Sequence, residues 1–390
     1  MRYLYNTPIT NLKNCGNCFI ATLENKKQVL VDKLGRIISQ EYKAIWDRPI
    51  DEYVEGEVYF NETHVLDLCG NILHNTKEKN PSDSVLTFSE EFDHIKYEKP
   101  TKDYESSLYT DDGVEIRLHY IAKEDRYFYA MHNESGVQIS GEYDQINPQE
   151  NGFWKASKNG RQMFLDKNGN VLGGRDFHHT ESFGEFLAPV ADYDETGELM
   201  FTFLKKDGTL FNNWYDYSEK DSCGYGIIRK RNRGYFITPS EVIVSKGYKN
   251  LSGFNEGLAR FSPSNDKYTY LRQDFTRFDE DFDRCEDFNN GFGIIISNGV
   301  YDAINHNQIK LTEISYVTNQ IQDNPSSILM LDKRLIADTQ TYLLLASLAI
   351  HLLRKQLKTI SDSLERDIIN STIRKTEKEL KLPESENEKK

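Results

Sequence analysis

One phrase recurs through most of this chain, and a recurring phrase constrains a fold more than any single residue does. It is an aromatic, two polar or small residues, Gly, and then an alternating apolar run. Tyr53-Val54-Glu55-Gly56, Phe254-Asn255-Glu256-Gly257 and Phe288-Asn289-Asn290-Gly291 carry it in full, and weaker copies put Gly16, Ser107, Gly152, Phe186 and Gly224 in the Gly slot. The eight copies are spaced 33 to 51 residues apart. A second marker keeps step with the first: Tyr42, Phe92, Tyr143, Phe177, Tyr215, Tyr248 and Phe282, as in Tyr143-Asp144-Gln145-Ile146. Two markers in step make chance repetition a poor explanation.

A turn signal lies between the markers. Asp32-Lys33-Leu34-Gly35, Asp67-Leu68-Cys69-Gly70 and Asp166-Lys167-Asn168-Gly169 are each flanked by apolar runs. Asp at the first turn position can accept a bond from the backbone two residues on, and Gly at the last supplies a positive φ. Each unit therefore reads as three or four short strands in about 35 residues. Such a unit cannot bury its aromatic face alone and must stack on neighbours. The expected fold is an all-β repeat domain, a β-propeller of about seven or eight short blades, with an open β-solenoid as the alternative and a C-terminal α-helical extension. The N-terminal Tyr3-Leu4-Tyr5-Asn6-Thr7-Pro8-Ile9 looks like a hairpin lacking its opening strand, and the last unit, Gly291 to about Thr318, lacks a clear Asp-x-x-Gly. An N-terminal segment completing the last blade would close a ring. Residues 74–84 and 98–106 are polar and read as inserted loops.

The phrases Phe254-Asn255-Glu256-Gly257-Leu258-Ala259-Arg260, Asp166-Lys167-Asn168-Gly169 and Glu142-Tyr143-Asp144-Gln145-Ile146 resemble those of bacterial WG-repeat (KWG-repeat) proteins, over about residues 14–318. The namesake Trp-Gly pair is absent, so the copies are diverged. The resemblance implies a β-rich binding scaffold and supplies no catalytic residues. A bacterial defence or toxin–immunity context is an expectation from that family alone.

The character changes after Asn324-Pro325. Gly stops at Gly299, and beyond Pro325 Tyr342 is the only aromatic. Leu343, Ile350, Leu357 and Leu364 lie seven apart, with Ala346, Leu353 and Ile360 three residues on. That is an a/d seam of about three heptads, a candidate helix interface in cis or in a homodimer or hetero-oligomer. The apolar run Tyr342–Leu353 is too short for a membrane span, which needs about 20 residues. The expected organisation is a β-repeat domain over 1–320, a helical segment over 325–380 and a disordered tail over 381–390.

Composition narrows the partner. The chain has 390 residues and a net charge of −14; residues 331–390 hold 12 basic and 10 acidic groups, so the first 330 residues carry −16. Nucleic acid and anionic membrane are poor partners for such a surface. A basic protein or peptide is the better match. The candidate partner-facing acids are Glu90, Glu91 and Asp93, and Asp279, Glu280, Asp281 and Asp283, which flank second-marker aromatics. The opening residues lack the apolar stretch of a secretory signal, and five scattered Cys make no disulfide framework, so a cytoplasmic chain is expected.

Catalytic and cofactor chemistry find little support. Cys15-Gly16-Asn17-Cys18 precedes a strand-like run rather than a helix and has no second C-x-x-C. His178 and His179 are adjacent and would point to opposite faces of a strand. Asp279, Asp281 and Asp283 have calcium-loop spacing, but Arg284 replaces its Gly and Asn290 its bidentate Glu. No catalytic, cofactor-binding or metal residue is assigned. The expectation is a non-enzymatic protein-binding scaffold or adaptor. Its alternatives are a small-molecule binder or enzyme using a central propeller cavity, and a mainly structural protein that dimerises through its helix.

Overall fold

Four copies of the repeat turn at a pair of residues with left-handed backbone; the Gly16 and Gly56 slots lie outside the described residues, and Phe186 has no positive φ. Asn151-Gly152, Cys223-Gly224, Glu256-Gly257 and Asn290-Gly291 have φ values of 54 and 94°, 52 and 80°, 50 and 81°, and 51 and 87°. Two successive positive φ values are the signature of the type I′ hairpin, whose twist matches that of the flanking strands. The Gly slot of the repeat is thus the second residue of a hairpin turn. The copy at Ser107 differs: Ser107 lies inside the strand Tyr104–Asp111, and the turn falls at Asp112-Gly113, with φ of 47 and 73°.

The computed structural model describes residues 2–15, 18–47, 59–60, 64–66, 72–75, 102–358, 360 and 363–380. It has two units, one of residues 1–84 and 280–390 and one of residues 85–279. The second unit is a series of antiparallel sheets taken in chain order. The first is Tyr104–Asp111, Val114–Ile121 and Arg126–Asn133; the next Gln145–Glu150, Phe153–Lys158 and Arg161–Leu165. His179–Thr180, Leu187–Tyr193 and Leu199–Lys205 follow, then Tyr217–Ser222, Tyr225–Lys230 and Arg233–Ile237, and the pair Leu258–Ser264 and Lys267–Arg272. Tyr104–Ser106, expected in an inserted loop, open a strand instead.

Phe92 lies outside the described residues; the other second-marker aromatics stand in the core, as a repeat that must stack requires. Tyr42, Tyr143, Phe177, Tyr215, Tyr248 and Phe282 are all at most 7% exposed. Five of them pair through single bridges with the sheet before them: Gln28 with Tyr42, Tyr129 with Tyr143, Gln162 with Phe177, Phe201 with Tyr215 and Gly234 with Tyr248. Of the Asp-x-x-Gly turns, 67–70 lies outside the described residues, and the other two hold as their chemistry dictates. Asp166 Oδ1 accepts from the Asn168 and Asn170 amides at 2.8 and 2.9 Å, with Gly169 at φ 76°. Asp32 does the same for Leu34 and Arg36, with Gly35 at φ 69°. The final repeat uses a substitute: Asn305 Oδ1 accepts from Asn307 and Ile309, and Gln308 takes φ 62°.

In the first unit the leading sheet is five-stranded, in the order Arg2–Tyr3, Arg36–Ile37, Gln28–Asp32, Cys18–Leu23, Ile9–Asn14. The N-terminal strand therefore completes its own first sheet rather than the last one. The Asp32–Gly35 turn brings Arg36–Ile37 within reach, Arg2 pairs with Ile37, and the Leu4 amide donates to Gly35 O at 2.9 Å. The first and last repeats nevertheless meet, through packing. Phe19 and Phe292 are edge-to-face at 5.4 Å, and Asn14 Nδ2 donates to Asn289 O at 2.5 Å. An end-to-end contact of this kind belongs to the propeller expectation rather than to the open solenoid. The last sheet is Arg284–Cys285, Phe292–Ser297 and Val300–Asn305; Trp46–Asp47, Tyr59–Phe60, His64–Leu66 and Ile72–Asn75 form a four-stranded one.

The helical region begins at Leu311, earlier than the composition change at Pro325. It comprises α1 (Leu311–Asp323), a 3₁₀ segment Pro325–Met330, α2 (Lys333–Ala337), α3 (Thr339–Leu357) and α4 (Ser363–Leu380). Ser315 of α1 donates to Gly35 O at 2.8 Å, and Asp338 caps α3 while accepting from Asn305 Nδ2 at 2.6 Å. Leu345, Ala346 and Ala349 of α3 share a core with Phe19, Val29 and Phe292. Its other flank meets α4, where Ile350 and Leu353 cluster with Ile369 and Ile373, backed by Leu357 and Ile360. The breadth of the apolar stripe on α3 is thus matched by two intramolecular contacts. Among the described residues no helix is long and apolar enough to cross a membrane.

Candidate binding groove

The acids picked out from sequence have local duties. Glu90, Glu91 and Asp93 lie outside the described residues. Asp279, Glu280 and Asp281 are exposed, and Glu280 Oε1 accepts from Lys310 Nζ at 2.7 Å. Asp283 is half-buried and accepts the Asn298 amide at 2.5 Å, which supports the next hairpin turn. In the helical seam, Ala346, Ile350 and Leu353 are buried, Leu357 and Ile360 partly so, and Leu343 is 42% exposed; the Leu364 side chain lies outside the description. Cys15 and Cys18 are both buried in a hairpin core with Ile20, Leu30 and Tyr42. His178 is exposed against the Tyr193 ring, while His179 pairs in a strand with Ala191.

A concave site lies elsewhere, in the second unit. Three stretches frame an open groove of about 750 Å³: Gly174–Phe177, Asp192–Glu195 with Met200, and Trp214. The hairpin Leu187–Tyr193 and Leu199–Lys205 carries the acidic rim, because its turn is another Asp-x-x-Gly, Asp194 to Gly197. Asp194 Oδ1 accepts from Thr196 Oγ1 at 2.7 Å and from the Thr196 and Glu198 amides. The Thr196 hydroxyl is the main cause holding that carboxyl below the usual carboxylate range.

Arg161, outside the groove lining, pairs with two of its acids. From the neighbouring sheet its guanidinium forks onto both Asp192 oxygens at 2.8 Å and reaches Asp176 Oδ1 at 3.0 Å. A two-pronged guanidinium–carboxylate pair fixes orientation as well as charge. The pairing holds the Asp192 carboxyl below its ordinary pKa and raises that of Arg161. Asp176, Asp192, Asp194 and Glu195 against Arg161 and Arg175 leave the site net anionic.

Two aromatic faces stand over this charge. Tyr193 is 54% and Trp214 38% exposed, an unusual state for large rings in a domain that buries most of its aromatics. Trp214 is held in place by the residues before it. Glu241 accepts the Asn212 and Asn213 amides at 2.9 and 2.8 Å and both side-chain amides at 3.0 and 2.7 Å. Desolvation pushes the Glu241 pKa up, but these donors outweigh it and keep the carboxyl below its ordinary value. An apolar stem between rings with a cation at its end is the chemistry such a groove takes. Sequence reasoning missed it because Asp176 belongs to one repeat and Asp192 and Trp214, twenty-two residues apart, to the next.

No protein-family model matches the chain, and no curated protein does. Solved structures align with it loosely. The WD40 β-propeller domain of Doa1 is 8% identical, over 78% of this chain and 93% of that one, with a TM-score of 0.24. The Pan2 WD40 domain of Neurospora crassa is 8% identical over 65% and 86%, with a TM-score of 0.22. BamB from Moraxella catarrhalis is 10% identical over 67% and 78%, with a TM-score of 0.20. Superpositions this loose carry no argument; the repeat architecture stands on the sheets and turns themselves.

Proposed function

We propose that this chain is a non-enzymatic binding scaffold that takes a basic segment of a protein or peptide into the groove between Trp214, Tyr193 and the Asp192–Glu195 rim. The observation that carries the reading is the pair of exposed rings over a net anionic floor. Lysine or arginine suits it: the methylenes pack on the rings, and the charged head meets Asp194 and Glu195. The −16 charge of the first 330 residues would speed capture of such a partner. Membership of the WG-repeat family, a cytoplasmic setting and a defence or toxin–immunity role are part of the proposal and rest on sequence resemblance and composition.

Trp214 supplies the readout. Titration with a lysine- and arginine-rich peptide should change its fluorescence saturably, and affinity should fall with added salt. Trp214→Ala should weaken binding about tenfold. Glu241→Ala, which touches no groove residue directly but frees Asn212 and Asn213, should weaken it by a smaller factor. Equal binding of an acidic peptide, or no effect of either substitution, would sink the reading.

A further inference from the structure

We propose that Glu105, His119 and His132 form a binding site for a divalent transition-metal ion of the zinc class. The three residues come from successive strands of one sheet, Tyr104–Asp111, Val114–Ile121 and Arg126–Asn133. Register puts them on one face: Glu105 stands opposite His119, His119 opposite Phe128, and His132 lies four residues farther on, an even count. The His119 ring stacks on Phe128 at 4.6 Å and meets the His132 ring at 5.1 Å. One nitrogen from each imidazole and one carboxylate oxygen all lie within 4.8 Å of one another. Ligands on a tetrahedral zinc are about 3.3 Å apart, so small side-chain rotations would close the set.

The second observation is the state of the imidazoles. His132 is 4% exposed, yet its Nδ1 has no hydrogen-bond partner, and neither does the buried His119 Nε2. Buried polar atoms are ordinarily satisfied, and here each of two neighbouring imidazoles keeps one buried nitrogen without a partner. A metal ion takes lone pairs of this kind.

The surroundings suit a cation. Arg117 engages Glu105 through Oε1, which leaves Oε2 facing His119 Nδ1 at 3.6 Å. The same guanidinium bonds Glu115, so Glu105, Glu115 and Arg117 together carry one net negative charge. An open cavity of about 420 Å³, lined by Asp103, Tyr104 and Phe128 as well as Glu105 and His119, gives solvent access to those two residues. Two imidazoles and one carboxylate suit zinc or a neighbouring first-row ion rather than calcium or magnesium.

The test is titration of chelator-treated full-length protein with Zn²⁺ by calorimetry, with Co²⁺ as the spectroscopic probe. We expect one equivalent of Zn²⁺ per chain and a visible d–d band for Co²⁺ from nitrogen ligation. His119→Ala and His132→Ala should each weaken binding at least about tenfold, while a His178→Ala/His179→Ala control binds like the parent. Should the histidine variants fail to fold, Glu105→Gln, at a side chain 43% exposed, keeps the question open to decision and should weaken binding likewise. Binding unchanged by these substitutions, lost in the control, or absent from the parent would overturn the site.

Discussion

The Asp144 carboxylate accepts the Asn159 amide hydrogen at 2.6 Å, fifteen residues on. Asp216 does the same for Arg231 at 2.9 Å and Asp283 for Asn298 at 2.5 Å, at the same separation. In each case the acid follows a buried second-marker aromatic, Tyr143, Tyr215 or Phe282, and the amide belongs to the first residue of a left-handed turn pair: Asn159-Gly160, Arg231-Asn232 or Asn298-Gly299. The aromatic anchors the rung and the acid locks the hairpin beyond it. This explains why an acid recurs after the aromatic without any reference to a partner.

Asp216→Ala removes one of these locks. Unfolding in urea should show a loss of about 0.5–1.5 kcal/mol with unchanged slope, and Asp216→Asn, which keeps an acceptor, should lose less. Equal losses in the two variants would mean the bond to Arg231 contributes nothing.

Two glycines with nearly the same φ should respond differently to Ala. Gly169 (φ 76°) and Gly160 (φ 75°) both carry left-handed strain on substitution, about 1–2 kcal/mol. A Cβ on Gly169 would also lie 2.3 Å from Ile139 O, whereas one on Gly160 meets nothing within 4 Å. Gly169→Ala should therefore lower the melting temperature clearly more than Gly160→Ala does. Matching shifts would contradict the packing of the Asp166–Gly169 turn on Ile139.

Asp302 makes stability depend on pH. Burial pushes its pKa up to about 6, against an unfolded value near 3.8, despite bonds from the Thr312 hydroxyl and the Ala303 amide. A raised carboxyl pKa means the folded chain holds the proton more tightly. Stability from this group is therefore present at pH 4 and declines as pH rises toward 6, by at most roughly 3 kcal/mol. Asp302→Asn should flatten that part of the stability profile. A parent profile rising between pH 4 and 6 by the same amount in both proteins would refute the assignment.

The α3–α4 contact predicts association on truncation. Ile350 and Leu353 are 8% and 1% exposed because α4 covers them with Ile369 and Ile373. A chain ending at Lys358 should show a concentration-dependent mass by light scattering, while the full chain keeps one mass. Leu353→Ala in the full chain should cost about 2–5 kcal/mol. Identical masses for both chains would show that the bare seam does not self-associate.

The sequence alone determined the repeat, the hairpin at the Asp-x-x-Gly turns, the aromatic core positions and the helical segment. Each depends on residues close along the chain, such as Asp166 to Gly169, whose turn chemistry acts over two to four residues. Tertiary structure decided the rest. The reach of Arg161 to Asp192 spans thirty-one residues, and the meeting of Glu105, His119 and His132 depends on strand register, neither of which has a local signature. The start of the helical region at Leu311 was settled by α1 packing on the Gly35 turn, 280 residues earlier in the chain from Ser315. The seam of α3 looked in sequence like a surface for any helix; only folding showed that α4 and the repeat core cover its central residues, because a stripe of leucines states how much must be buried and not by what.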